Sequence, residues 1–217
     1  MLTSLLLVLL PGCASQAGLW MADSIVSAGS GDDNKDSQRV TLKRPDNGIA
    51  GSVDRASIKA LAEVTARINQ AAGIQTTLYI TDRGSPGPNA YAARVGPDYI
   101  IAVNLQMLTL IGTDKNMYAA LIGHEVAHCL KRHDIVGENK GFSETMASTA
   151  SRIDQETEAD EVGIQLMKTA GYPLTGALTF YTKLTTETGN NLPAFFRQHP
   201  SNIERLENIQ RATGHSL

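Results

Sequence analysis

The stretch Leu121-Ile122-Gly123-His124-Glu125-Val126-Ala127-His128-Cys129-Leu130 limits what this chain can fold into more than any other. On a helix, residues four apart stand one turn above each other with Cβ atoms about 5–6 Å apart, so His124 and His128 can point at one ion. A zinc ion held at about 2.0–2.1 Å by two imidazole nitrogens keeps positions free for further ligands and a water, and Glu125 is placed to take that water's proton. The pattern implies metal-assisted hydrolysis. Five residues recur by accident in unrelated chains, so context has to carry the reading. Met117, Leu121, Ala127 and Leu130 supply an apolar face at helical spacing, and Asp114 is an N-cap before Lys115. Lys131-Arg132-His133 put positive charge at the other end, where it suits the helix dipole. The expected element is a buried helix over residues 115–132.

A further protein ligand has to come from elsewhere, and Glu156-Thr157-Glu158-Ala159-Asp160 lies inside helical sequence that runs from Ser143 to Ala170, closed by Gly171 and Pro173. Alone, such a run reads as an acidic solvated face. Joined to the upstream motif, it offers more. Glu156 and Asp160 share one helix face, so one carboxylate can bind metal while the other orients a ligand histidine from behind.

His124-Glu125-Val126-Ala127-His128, then Glu156-x-x-Ala159-Asp160, then His199-Pro200 followed by Arg205, resemble the gluzincin metallopeptidases of the HtpX-like and CaaX-prenyl-protease-like family, in its soluble bacterial branch. His133 and the segment Asn89-Ala90-Tyr91-Ala92 fall in the order that family has. The resemblance covers residues 54–212 and implies an α+β fold: a mainly helical zincin-like metallopeptidase domain with a small sheet beside the active-site helix. It implies His124, His128 and Glu156 as ligands of one zinc ion (Zn2+) and Glu125 as the base. Asp160 would orient a ligand histidine. It places His199, by itself an ordinary loop histidine, over the metal, either as an additional ligand that keeps the enzyme latent or as a donor to the oxyanion. Arg205 is a second candidate for that charge. Asn89, Ala90, Tyr91 and Ala92 would form a sheet edge that binds a substrate backbone as an added strand.

With 217 residues, 42% of them hydrophobic, the chain can bury a proper core in one domain. A net charge of −3 leaves no basic stripe for phosphates, which argues against nucleic acid as a partner. Leu5-Leu6-Leu7-Val8-Leu9-Leu10 is too short to span a bilayer and leads to Leu10-Pro11-Gly12-Cys13, which resembles a bacterial lipobox. Residues 1–12 are therefore expected as a signal peptide, 13–53 as a lipidated Cys13 with a flexible tether, and 54–217 as the metallopeptidase domain. Since each buried methylene contributes about 0.8 kcal/mol, acyl chains on Cys13 would hold the protein to a membrane without a spanning helix. That predicts a bacterial envelope protein, lipid-anchored and facing the periplasm, with the outer membrane as its site. Cys129, about 100° around the helix from His128, is expected as a buried thiol rather than a ligand.

Between tether and motif, Ile58, Leu61, Ala62, Thr65, Ile68 and Ala72 follow helical spacing, ended by Gly73. Alternation over 74–81 and extended segments at 89–95 and 99–103 predict the sheet, and a short helix at 104–111 leads into the motif. Helices at 174–184 and from Ser201 onward follow, the last opened by Ser201-Asn202-Ile203-Glu204 as a capping box. The function implied is zinc-dependent endopeptidase action on misfolded or misassembled cell-envelope proteins, with polypeptide substrates and envelope assembly partners. The alternative from another class is a non-catalytic periplasmic chaperone or assembly factor on the same scaffold.

Overall fold

The computed structural model describes residues 27–28, 39–43, 49–81, 87–95, 97–133, 149–187, 199 and 203–214. In chain order these form strands β1 (Ser27–Ala28), β2 (Arg39–Lys43) and β3 (Ile49–Asp54), helix α1 (Arg55–Ala72), and strands β4 (Thr76–Thr81), β5 (Ala90–Val95) and β6 (Asp98–Asn104). Helices α2 (Leu105–Ile111), α3 (Lys115–Lys131), α4 (Thr149–Thr169), α5 (Thr175–Glu187) and α6 (Ile203–Thr213) complete them. This is the expected mainly helical α+β fold, with two three-stranded sheets among the described residues where one was expected.

Helix α3 carries the motif and sits at the centre. Every residue from Met117 to Cys129 is buried, because α1, α4, α5, β5 and β6 all pack on it. The apolar face expected from spacing is in fact a helix covered all round, which Ala119, Ala120, Gly123 and Ala127 permit by letting neighbours come close. Asp114 caps its start as expected, accepting from the backbone N–H of Asn116 at 2.8 Å and of Met117 at 3.1 Å. The other end closes as a Schellman turn: Arg132 N–H bonds the Cys129 carbonyl, and His133 N–H bonds the His128 carbonyl at 3.2 Å. Arg132 holds φ 54°, a left-handed conformation that glycine normally supplies. A side chain there costs about 1–2 kcal/mol, partly offset because arginine narrows the unfolded ensemble. Arg132→Gly is therefore expected to stabilise the fold by about 0.5–1 kcal/mol. Thermal unfolding checks this, and an unchanged or lower midpoint would mean that side-chain contacts of Arg132 outweigh the strain.

α4 crosses α3 where two glycines meet. A Cβ on Gly123 would stand 2.8 Å from the Gly163 carbonyl oxygen, and one on Gly163 would stand 2.9 Å from the His124 nitrogen. Only bare backbone fits. This close crossing brings the carboxylates of α4 opposite the histidines of α3.

In the sheet nearest the motif, β6 is central, paired in parallel with β4 (Leu78↔Ile101) and antiparallel with β5 (Ala92↔Ile101), so β5 is an edge. Ile100 to Asn104 are all buried, as suits a strand covered on both faces. One side chain sets the junction. Asn104 Oδ1 accepts from the backbone N–H of Asn89 at 3.0 Å and of Met107 at 2.9 Å, capping α2 and fixing where β5 begins. α1 is bounded as expected: Asp54 accepts from Ala56 N–H at 2.8 Å, and Gly73 closes it at φ 68°.

The expected tether over 13–53 needs correction at residues 27–28 and from residue 39 onward. β2 and β3 pair antiparallel (Val40↔Val53, Leu42↔Gly51), β1 adds to β2, and Val40, Leu42 and Val53 are buried in the main core. The physical reason is tertiary: a strand with only Val40 and Leu42 on its inner face carries too little alternation to stand out. Gly51 lies so close to α2 that a Cβ would be 2.9 Å from Leu105 Cδ1. Cys13, the signal segment, Pro45-Asp46-Asn47-Gly48, which reads from sequence as a turn, residues 82–86, 143–148 and the capping residues 201–202 lie outside the described residues. Among the described residues, no helix is long and apolar enough to cross a membrane.

Candidate metal centre

Three elements converge on the buried face of α3. That helix contributes His124, Glu125 and His128, α4 contributes Glu156 and Asp160, and His199 arrives from the segment before α6. His124, His128, Glu156 and His199 each offer one ligand atom, all within 4.8 Å of one another, and all four residues are buried. His124 Nε2 lies 3.0 Å from His128 Nε2, 3.2 Å from Glu156 Oε2 and 3.2 Å from His199 Nδ1. Glu156 Oε1 is 3.5 Å from His128 Nε2.

The proton inventory tests whether a cation suits these atoms. Asp160 Oδ1 stands 2.8 Å from His124 Nδ1, and an ionised carboxylate can only accept, so His124 Nδ1 carries the hydrogen. In a neutral ring Nε2 is then bare, and it faces a second imidazole nitrogen and a carboxylate oxygen. Lone pairs this close need a positive charge among them. Burial opposes charge on His124, yet the hydrogen bonds and fields of Asp160 and Glu156 outweigh it and hold its pKa up to about 10. Burial instead drives His128 down to about 3, against the pull of Glu156. Although burial opposes ionisation of Glu156, its bonds to His124, His128 and His199 hold the carboxyl far below the usual carboxylate range. A set of three imidazoles and one carboxylate that gathers lone pairs at one point, away from water, fits a borderline cation such as zinc.

Asp160 itself is held from behind. Its Oδ1 also accepts from the Tyr181 hydroxyl of α5 at 2.7 Å, so a chain Tyr181–Asp160–His124 fixes the ring. By spacing alone, Tyr181 reads only as an apolar position of the helix expected at 174–184. A phenol on a buried helix face requires a polar partner, which is the signal that could have flagged it. Glu125 is fully buried, and burial pushes its carboxyl up from the ordinary value. Among the described residues neither of its oxygens makes a hydrogen bond of ordinary length; His199 Nε2, 3.5 Å from Oε1, and the Ala92 backbone are polar neighbours.

His199 is buried, not a surface loop residue. Its Nδ1 is 3.2 Å from Glu156 Oε2, and its Nε2 is 3.2 Å from the Ala90 carbonyl oxygen on β5. Asn89, Ala90, Tyr91 and Ala92 are all buried beside α3, with Ala90 to Ala92 on the edge strand β5. The Asn104 N–H bonds the Asn89 carbonyl at 3.0 Å, so residue 89 turns its backbone toward β6, and by alternation 90 and 92 turn theirs toward the free edge. Arg205 falls within α6, and its side chain lies outside the described residues. Cys129 is buried and apart from the four ligand atoms, with burial pushing its thiol up to about 12.

Comparison with known proteins agrees with this geometry. The family model for peptidase family M48 matches residues 55–141 and 140–213. The chain is also similar to the mitochondrial metalloendopeptidase OMA1 of Arabidopsis thaliana, 30% identical over 115 residues, which is 43% of this chain and 24% of that protein. The match thus spans about a quarter of that relative's length. With a donor set suited to a metal and most of the chain from α1 to α6 within the family match, this chain belongs to peptidase family M48, a family of metal-dependent proteases.

Proposed function

We propose that this chain is a zinc-dependent endopeptidase. The observation that carries the reading is the meeting of His124, His128 and Glu156 at one buried point with the Glu125 carboxylate beside them. Those three side chains would hold the ion, which supplies Lewis-acid polarisation of a peptide carbonyl and eases deprotonation of water. Glu125 takes the proton from the attacking water and returns it to the leaving amine. A carboxyl whose proton affinity is raised by burial suits both halves of that transfer. Asp160, backed by Tyr181, holds His124 in one tautomer. Once released by His199 and Glu125, the outer edge of β5 at Ala90 and Ala92 would accept an extended polypeptide as an added strand, so that the scissile bond lies over α3. Arg205 is a further candidate for charge on the substrate oxygen.

His199 fits a latency device better than an oxyanion donor. Its Nδ1 stands among the ligand atoms while its Nε2 bonds the Ala90 carbonyl, so one ring covers both the ion and the strand edge a substrate needs. The substrates proposed are misfolded or misassembled envelope proteins. The protein would be tethered through a lipid on Cys13 at the periplasmic face of the outer membrane; support for that address comes from the sequence Leu5 to Cys13.

Purified protein is expected to hold about one Zn2+ per chain and to cleave casein weakly, with chelator abolishing cleavage. His199→Ala should raise basal cleavage by about tenfold or more, because it uncovers the ion and the edge. A fall in cleavage would assign His199 to the oxyanion instead, and an unchanged rate would remove it from the mechanism. Chelator-insensitive binding of unfolded protein with no cleavage would favour a non-catalytic assembly factor.

A further inference from the structure

The histidine that ends the motif is backed by a different arrangement from its partner. His124 leans on a carboxylate directly, through Asp160. His128 turns its Nδ1 to the Nδ1 of His133 at 3.0 Å, and His133 Nε2 lies 2.9 Å from Glu158 Oε2. The other oxygen of Glu158 accepts from Lys131 Nζ at 2.5 Å.

Only one order of protons satisfies all four groups while leaving His128 Nε2 bare for a cation. His128 then carries its hydrogen on Nδ1 and donates to a bare Nδ1 of His133. His133 in turn carries its hydrogen on Nε2 and donates to Glu158, whose second oxygen takes a hydrogen from Lys131. Reversing the order would leave a bare His133 Nε2 facing a carboxylate oxygen and aim an N–H from His128 at Glu156 and His124. The backbone builds this contact. In the Schellman turn at the end of α3, His128 lies three residues before Lys131, the last helical residue, and His133 directly follows the left-handed Arg132; this pair of positions normally meets through apolar side chains. Here the pair is two imidazoles, both buried. Glu158 is about half exposed, so the chain runs from the surface to the ligand.

We propose that His133 and Glu158 are positioning residues for metal binding: Glu158 fixes the tautomer of His133, and His133 accepts from His128 Nδ1–H so that His128 Nε2 is bare and aimed at the ion. This rests on His128 being a metal ligand, as in the function proposed above. The positioning is distinct from packing, because it requires an acceptor at residue 133 and not merely volume.

The test is Zn2+ affinity, measured by competition with a chromophoric chelator on the full chain, alongside thermal unfolding of the metal-free proteins. His133→Ala is expected to weaken Zn2+ binding by about 10–100-fold. His133→Phe, which fills the space without an acceptor, should weaken it as much, whereas His133→Asn, with Oδ1 near the place of Nδ1, should recover part of the loss. Glu158→Ala, at a half-exposed position, should weaken binding by a smaller factor. Ring nitrogen NMR of the wild-type zinc form should find His128 as the Nδ1–H tautomer and His133 as the Nε2–H tautomer. Unchanged affinity in both His133→Ala and Glu158→Ala, full recovery by phenylalanine, or a His133 Nδ1–H tautomer would overturn the proposal while leaving His128 a ligand. A wild-type chain that fails to bind Zn2+ at all would sink the metal reading and this chain together. If the His133 variants do not fold, Glu158→Ala and the wild-type tautomers still decide.

Discussion

Glu125→Gln is expected to lower peptide hydrolysis by about 10²–10⁴-fold or more while the Zn2+ content stays that of the wild type. Glutamine keeps the shape of the side chain and removes its ability to take a proton. None of the four converging ligand atoms belongs to Glu125, so metal binding has no reason to fall. His124→Ala provides the contrast: it takes away a ligand atom lying within 3.2 Å of Glu156 and His199, and both metal and activity should go. Metal content and casein cleavage on the same preparations check the pair, and a glutamine variant with normal turnover would remove Glu125 as the base. Stability should move the other way. Burial raises the folded-state pKa of Glu125 above its unfolded value, so its protonated form is favoured in the fold. The stabilisation this gives is fully present below the unfolded pKa and is lost as pH rises through the folded one. At neutral pH the metal-free Gln variant should therefore melt higher than the metal-free wild type, and the difference should shrink in acid.

How far the sequence reveals such a site depends on whether the signal is local. The helix around His124 and His128, its cap at Asp114, and the helix from Asp54 to Gly73 were legible because caps and spacing lie within a few residues of what they control. Glu156 and Asp160 were legible as a face, and their assignment needed the resemblance. The strands over 39–54 were not legible, since Val40, Leu42 and Val53 are recognisable as core only once helices cover them. Strand order was equally hidden: periodicity finds β4, β5 and β6 but does not say that the last of them lies between the other two. Tyr181 and Glu158 were missed for a related reason. Each acts through a side chain from another part of the fold, Tyr181 through Asp160 on α4 and Glu158 through His133 just past the end of α3, and its role appears only when α4 and α5 are docked against α3. In the sequence His133 stands out only by its position in the family pattern, and the turn at Arg132 is what gives that position a meaning.

Gly163→Ala should disable the site without touching a ligand. The added methyl group would meet the His124 nitrogen at 2.9 Å and the Gly123 carbonyl carbon at 3.0 Å. Both are backbone of a helix buried on every side, so neither can swing away, and α4 must retreat from α3. Such overpacking costs about 1–3 kcal/mol, against about 1 kcal/mol gained from alanine's better helix propensity, so the net change is a loss. The effect on metal is larger than on folding. Glu156 and Asp160 ride on the helix that moves, and ligands must hold within about 0.5 Å of their productive geometry. A tenfold or greater fall in Zn2+ affinity is therefore expected. Gly123→Ala opens the same gap from the other side, its Cβ 2.8 Å from the Gly163 oxygen. Once the helices have separated, the second methyl group finds space already made. The double variant should lose clearly less stability than the sum of the two single losses, a coupling that two independent defects would not produce. Thermal unfolding and Zn2+ titration of the three variants measure it, and strict additivity would mean that the two glycines do not share one contact.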